Sequence, residues 1–154
     1  MGTLFGRLRQ AANEQFGQSM VELALLLPIL VFGLIGAADL ARAFALQLAV
    51  QNGARAGAEA YAITFSPTPA LAQARAKDEM ARTPGMDTNN PALLQTFVVV
   101  TQADGVTPCL RPPTVATPCF VTVEVQYIFH TIEPWPFIPN TANFDRSTTM
   151  RTFY

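Results

Sequence analysis

The sequence predicts an α+β chain: one long N-terminal helix that crosses a membrane, then a small exterior portion with a short helix and a two- to three-stranded antiparallel sheet. Three observations carry this expectation. Residues 23–38, LALLLPILVFGLIGAA, run without a charge. Residues 39–62 continue without proline and are rich in the helix formers Ala, Leu, Gln and Arg. Residues 120–129 alternate apolar and polar side chains with the period of a half-buried strand.

The composition narrows the function classes. A chain of 154 residues has room for one ordinary domain and an appendage, which excludes large modular enzymes. Ten Lys+Arg against eleven Asp+Glu, with no basic cluster, leave no electrostatic footprint for nucleic acid. Two cysteines and one histidine are too few for the common four-ligand zinc site, so no metal is expected. The histidine, His130, has no Ser or Cys partner at a motif spacing, and there is no Walker A loop and no HExxH. No catalytic residue, no cofactor and no enzymatic activity are expected.

Taken in order, the apolar run comes first. The sixteen residues 23–38 cover about 24 Å as a helix, and the stretch 18–38 about 31 Å, against roughly 30 Å of bilayer hydrocarbon. Glu22 is the only charge in the longer stretch and belongs near one interface. Pro28 removes one helical hydrogen bond and clashes with the carbonyl of Ala24, so a bend or local opening is expected there. Arg7 and Arg9 precede the span with Glu14, whereas Asp39 and Arg42 follow it and cancel, which keeps the amino end cytoplasmic. A competing reading takes the same run as an ordinary secretory signal, cleaved after the small residues Gly36, Ala37 and Ala38.

The helix is expected to continue outward to Ala62, some 45 residues from Gln18. Gly33, Ala37, Ala41, Ala45, Ala49, Gly53 and Gly57 place a small residue at every fourth position, a ridge along which another helix can approach closely. Each step of four overshoots a turn by about 40°, so the ridge winds and suits several partners or an angled crossing better than one straight neighbour. An Ala-rich helix also generates such a row by chance.

Residues 63–69 break the helix. Thr68 caps a short second helix with Pro69 at its first position, and Thr83-Pro84-Gly85 ends it. Strand signals follow at 96–102 and 120–129, with 148–154 as an added edge strand. In the second strand Val121, Val123, Val125, Tyr127 and Phe129 share the face to be covered, and the two helices are the candidates to cover it. Cys109 and Cys119 fall in the excursion between the first two strands. They read as a disulfide if this portion lies outside the cytosol, and as free thiols if it does not. Residues 133–139, EPWPFIP, read either as a lid packed on the sheet or as a patch for a partner.

Residues 16–30, FGQSMVELALLLPIL, resemble the processing segment of type IV pilin-like proteins: a glycine, four residues, a glutamate, then the apolar run. With the following GLIGAADLAR the segment is similar to the TadE/TadG-like family, minor pseudopilins of the tight adherence (Tad, or Flp) pilus apparatus. The resemblance covers about residues 16–60. It implies cleavage by a prepilin peptidase between Gly17 and Gln18, and a role for Glu22 in meeting the terminal amine of a neighbouring subunit. The chemistry is consistent with this. Glycine lets a protease approach the backbone closely, and a carboxylate offsets an ammonium at a helix start that already disfavours positive charge.

The expected organisation is a cytoplasmic leader over 1–17, a transmembrane helix continuing as an exterior stalk over 18–62, and a periplasmic α+β domain over 63–154. The expected place is the bacterial inner membrane, single-pass, with incorporation into an extracellular pilus left open. The implied partners are the prepilin peptidase, other pilin and pseudopilin subunits, the inner-membrane assembly platform and membrane lipid. The alternative is a secreted or periplasmic binding module released near Ala38. A third possibility is an uncleaved single-pass anchor.

Overall fold

The computed structural model of the protein describes residues 2–109 and 113–153, the side chains of residues 2–16 excepted. The flanking charges Arg7, Arg9 and Glu14 therefore lie outside the described side chains, as do Leu110, Arg111 and Pro112 of the cysteine excursion. The element order is α1 (Gly2–Ile63), α2 (Pro69–Met80), β1 (Leu94–Gln102), β2 (Cys119–His130) and β3 (Thr141–Arg151). The α+β class holds.

Internal contacts divide the chain between Leu40 and Ala41. The first unit is helical from Gly2, so the helix starts well before Gln18, and it is assigned as α-helix through Pro28. Its large apolar side chains face outward: Met20, Val21, Leu23, Leu25, Leu26, Leu27, Ile29, Leu30, Val31, Phe32 and Leu34 are all exposed. Burial within the chain offers these residues no stabilisation, because an apolar side chain gains only when removed from water.

The second unit, Ala41–Tyr154, contains the rest of α1, the short helix and the sheet. The last third of α1 thus belongs to the compact domain. The sheet is an antiparallel meander in the order β1-β2-β3. Val98 stands opposite Val123 in the first pair, and Val123 opposite Thr148 in the second. β2 alternates strictly, with Val121, Val123, Val125, Tyr127 and Phe129 buried and their neighbours not. This is the face the alternation predicts. β3 begins at Thr141 and not at 148, and β1 begins at Leu94.

The inner face is covered as expected by both helices, through small residues. On α1 the buried positions form two adjacent ridges, one of Leu46, Val50, Ala54, Ala58 and Ala62, the other of Ala49, Gly53, Gly57 and Tyr61. From α2 come Ala72, Ala76 and Met80, all completely buried. The short helix begins where its cap predicts: Thr68 has extended backbone, and its hydroxyl accepts from the Leu71 amide at 3.2 Å. Gln73 donates from Nε2 to the Thr96 carbonyl at 3.1 Å, tying α2 to β1.

Candidate functional site

Gly17, the expected processing point, stands just before Gln18 and Glu22, which share one helix face at the start of the apolar run. A Cβ built on Gly17 meets nothing within 4 Å, so the backbone there is open to approach. One turn on, Gln18 donates from Nε2 to Glu22 Oε1 at 3.3 Å. Both side chains are exposed, and their i, i+4 spacing makes them neighbours on the helix surface. A carboxylate at the edge of hydrocarbon is costly unless it finds a donor. The Gln18 amide supplies a neutral one within the chain, and cleavage before Gln18 would add an ammonium one turn away.

Residues 17–59 match the family model of TadE-like proteins. The TadE-like segment opens on Gly17, takes in Glu22 and Pro28, and ends inside the part of α1 that builds the domain core. No curated protein and no solved structure matches the chain.

Within the TadE-like segment the seven small residues separate into two sets. Gly33, Ala37, Ala41 and Ala45 are exposed, and a Cβ on Gly33 has open space around it. Ala49, Gly53 and Gly57 are buried. A Cβ on Gly53 would lie 2.6 Å from Met80 Cγ, and one on Gly57 would lie 2.8 Å from the Ala72 carbonyl oxygen. The outer part of the ridge therefore receives this chain's own α2. The earlier part of the row has no covering element among the described residues.

Cys109 and Cys119 are bonded, with Cα atoms 5.6 Å apart. The bond staples the β1–β2 excursion to the first residue of β2. The neighbouring bridge between Thr101 and Pro108 and the bond from the Gln102 amide to the Thr107 carbonyl, 2.8 Å, hold the same excursion. At its tip Asp104 accepts from the Thr107 hydroxyl and from the Thr107 and Val106 amides. These bonds, the Thr107 hydroxyl first, hold the Asp104 carboxyl below its ordinary value.

Two features escape sequence reasoning, and a third decides between two readings left open. Asp39, read only as a flanking charge, is buried at 5% exposure. Arg42 sets its guanidinium 5.6 Å from the centroid of Phe129, a cation–π contact that a strand distant in sequence supplies. In the loop 131–140, Trp135 is half-buried but Phe137 is 96% exposed, so the loop is no packed lid at that position. His130 ends β2 and is exposed. Among the described residues no group of His, Cys, Asp and Glu is arranged to hold a metal.

Proposed function

We propose that this chain is a minor pseudopilin precursor of a Tad/Flp-type pilus apparatus, anchored in the bacterial inner membrane by α1. The leader ends at Gly17. A prepilin peptidase removes it, and Gln18 becomes the first residue of the mature subunit. Glu22 then meets the new amino terminus of a neighbouring subunit, which rewards lateral assembly with other pilin and pseudopilin subunits on the inner-membrane platform.

The observation that carries this reading is the juxtaposition at the start of the span. An open glycine and a carboxylate five residues on stand directly before an apolar belt of which nothing is buried within the chain, and the TadE-like match begins at that glycine. The orientation with the domain outside the cytoplasm draws support from the Cys109–Cys119 bond, because disulfides persist in oxidising compartments. The reading is structural and involves no catalysis by this chain.

The mature amino terminus tests it. Intact mass and terminal sequencing of the membrane-associated protein should begin at Gln18. A start near Asp39 means release by ordinary signal cleavage and replaces this reading with that of a periplasmic module. Persistence of Met1 or Gly2 means an uncleaved anchor.

A further inference from the structure

We infer that the two sulfurs of the Cys109–Cys119 bond have unequal roles: Cys109 is the exchange sulfur, on which an external thiol or disulfide forms its mixed disulfide, and Cys119 is the resolving sulfur, which reacts with Cys109 alone. The inference concerns the compact unit by itself and does not need α1 to be a membrane span.

The two cysteines stand in different surroundings. Cys119 is the first residue of β2 and is buried. The sheet holds it on both sides: it stands opposite Gln102 of β1, and its carbonyl accepts from the Thr152 amide at 2.9 Å and from the Thr152 hydroxyl at 3.3 Å. By the alternation of the strand its side chain shares the inner face of β2 with Val121, which is completely buried. Cys109 belongs to no strand and is half-buried, with its amide donating to the Val100 carbonyl at 3.3 Å. Residues 103–108 before it and 114–117 of the same excursion are exposed.

Burial decides which sulfur can be attacked. In thiol–disulfide exchange a thiolate bonds one sulfur and expels the other, and the rate depends on which sulfur it can reach. An external thiolate finds Cys109 at the surface, among exposed residues, and finds Cys119 covered by the fold. Leaving-group solvation works the other way, because attack on Cys109 expels a thiolate into the core. That slows attack on the open sulfur. Attack on the covered one is slower still, since it waits for the head of β2 to open.

Oxidation and reduction then pass through the same intermediate. In oxidation the Cys109 thiolate attacks one sulfur of an external disulfide, forms the mixed disulfide and releases the first external thiolate. The Cys119 thiolate then attacks the Cys109 sulfur, closes the bond within the chain and releases the second. The chain gives up two electrons and two protons, and the external disulfide takes them up as two thiols. Reduction by two external thiols is the reverse. The closing step is intramolecular and prearranged: the Cα atoms are 5.6 Å apart in the bonded form, and the Gln102–Cys119 pairing, the Thr101–Pro108 bridge and the Cys109–Val100 bond hold both residues there independently of the sulfurs.

Full-length protein in detergent tests the assignment as Cys119→Ser, which keeps only the Cys109 thiol, and as Cys109→Ser, which keeps only the Cys119 thiol. With oxidised glutathione, uptake of one glutathionyl group, read by intact mass, should be about 30-fold or more faster in Cys119→Ser. Urea should bring the two rates together. Equal rates without urea, in variants that both keep the near-ultraviolet circular dichroism of the natural protein, overturn the inference. The natural protein supplies a test without substitution: brief exposure to reduced glutathione, quenched with acid, should leave glutathione on Cys109 by fragment mass. Glutathione on Cys119 overturns the inference even where the variants misfold. Cys119→Ser protein recovered from growing cells with thiols blocked names the natural co-reactant. A gain of one small thiol identifies a low-molecular-weight disulfide and a protein-sized adduct on a non-reducing gel identifies a carrier protein, and either supports exchange at Cys109. An adduct on Cys109→Ser and none on Cys119→Ser overturns it.

Discussion

Gly57 and Ala72 stand so close that a single methyl group on the glycine would sit 2.8 Å from the Ala72 carbonyl oxygen. The obstacle is helix backbone and cannot swing aside. The same methyl would press on Ala76 Cβ and Val123 Cγ1, both at 3.2 Å. α1, α2 and the sheet meet at this point because the residue between them has no side chain.

Gly57→Ala is therefore expected to destabilise the domain by about 1–3 kcal/mol, the usual cost of overpacking a closed core. Gly33→Ala, with open space around it, should leave domain stability unchanged. Thermal unfolding in detergent, read by near-ultraviolet circular dichroism, separates the two. Equal melting of both variants would mean that α2 does not rest on this ridge.

Cysteines placed singly along the small-residue row should report two kinds of neighbour. Ala41→Cys and Ala45→Cys lie on exposed positions and should form intermolecular crosslinks in assembling membranes, whereas Ala49→Cys, 5% exposed, should form few. Glu22→Gln should be processed at Gln18 like the natural chain yet crosslink less. A Glu22→Gln protein that assembles at the normal level would remove the carboxylate from assembly.

Loss of the Cys109–Cys119 bond, as in Cys109→Ser with Cys119→Ser, should cost roughly 2.5–3 kcal/mol in the chain-entropy account of a loop this short. Chemical denaturation with and without reductant measures it. The natural protein in reductant should approach the double variant, and no shift in midpoint would mean that the hairpin excursion is held by its hydrogen bonds alone.

Thr96 offers the opposite sign. Its hydroxyl is buried and has no hydrogen-bond partner, so Thr96→Val, which keeps the shape, should raise stability by about 1 kcal/mol. A fall in melting temperature would show that the hydroxyl is satisfied in solution.

Asp104 gives a pH dependence whose sign follows from its lowered pKa. The three bonds to Thr107 and Val106 favour the carboxylate. Their contribution is complete above the unfolded value, about 3.9, and is lost as pH falls through the lower folded value. Amide exchange at Val106 and Thr107 should therefore stay slow through mildly acidic pH and quicken only at the acid end. Asp104→Ala, which removes the acceptor of these bonds, should show fast exchange throughout.

The fold was legible where chemistry repeats at a fixed period. Valine at every second place from Val121 to Val125 marks the buried face of β2, and Thr68-Pro69 marks the start of α2. β3 was legible only in its last part because TANFDRSTTMR is an edge strand, half-exposed, whose inward positions include Arg146 and Thr148 beside Phe144 and Met150. In the site, the TadE-like segment reads directly from Gly17, Glu22 and the apolar run. The occupant of the small-residue ridge does not, because spacing says that something approaches and says nothing of what. Only the turn at Pro67 and Pro69, which returns α2 onto Gly53 and Gly57, decides it. Arg42 and Phe129 meet across most of the sequence, and no local pattern records such a meeting.

The cystine at the head of β2 also dates each molecule. On the proposed topology, sulfurs of a chain still waiting on the cytosolic side would stay reduced and those of a translocated one would be oxidised, with Cys119, buried at 1% exposure, then shielded from later reagents. A maleimide mass tag applied to growing cells would divide the population by gel shift into molecules before and after export, with no added reporter.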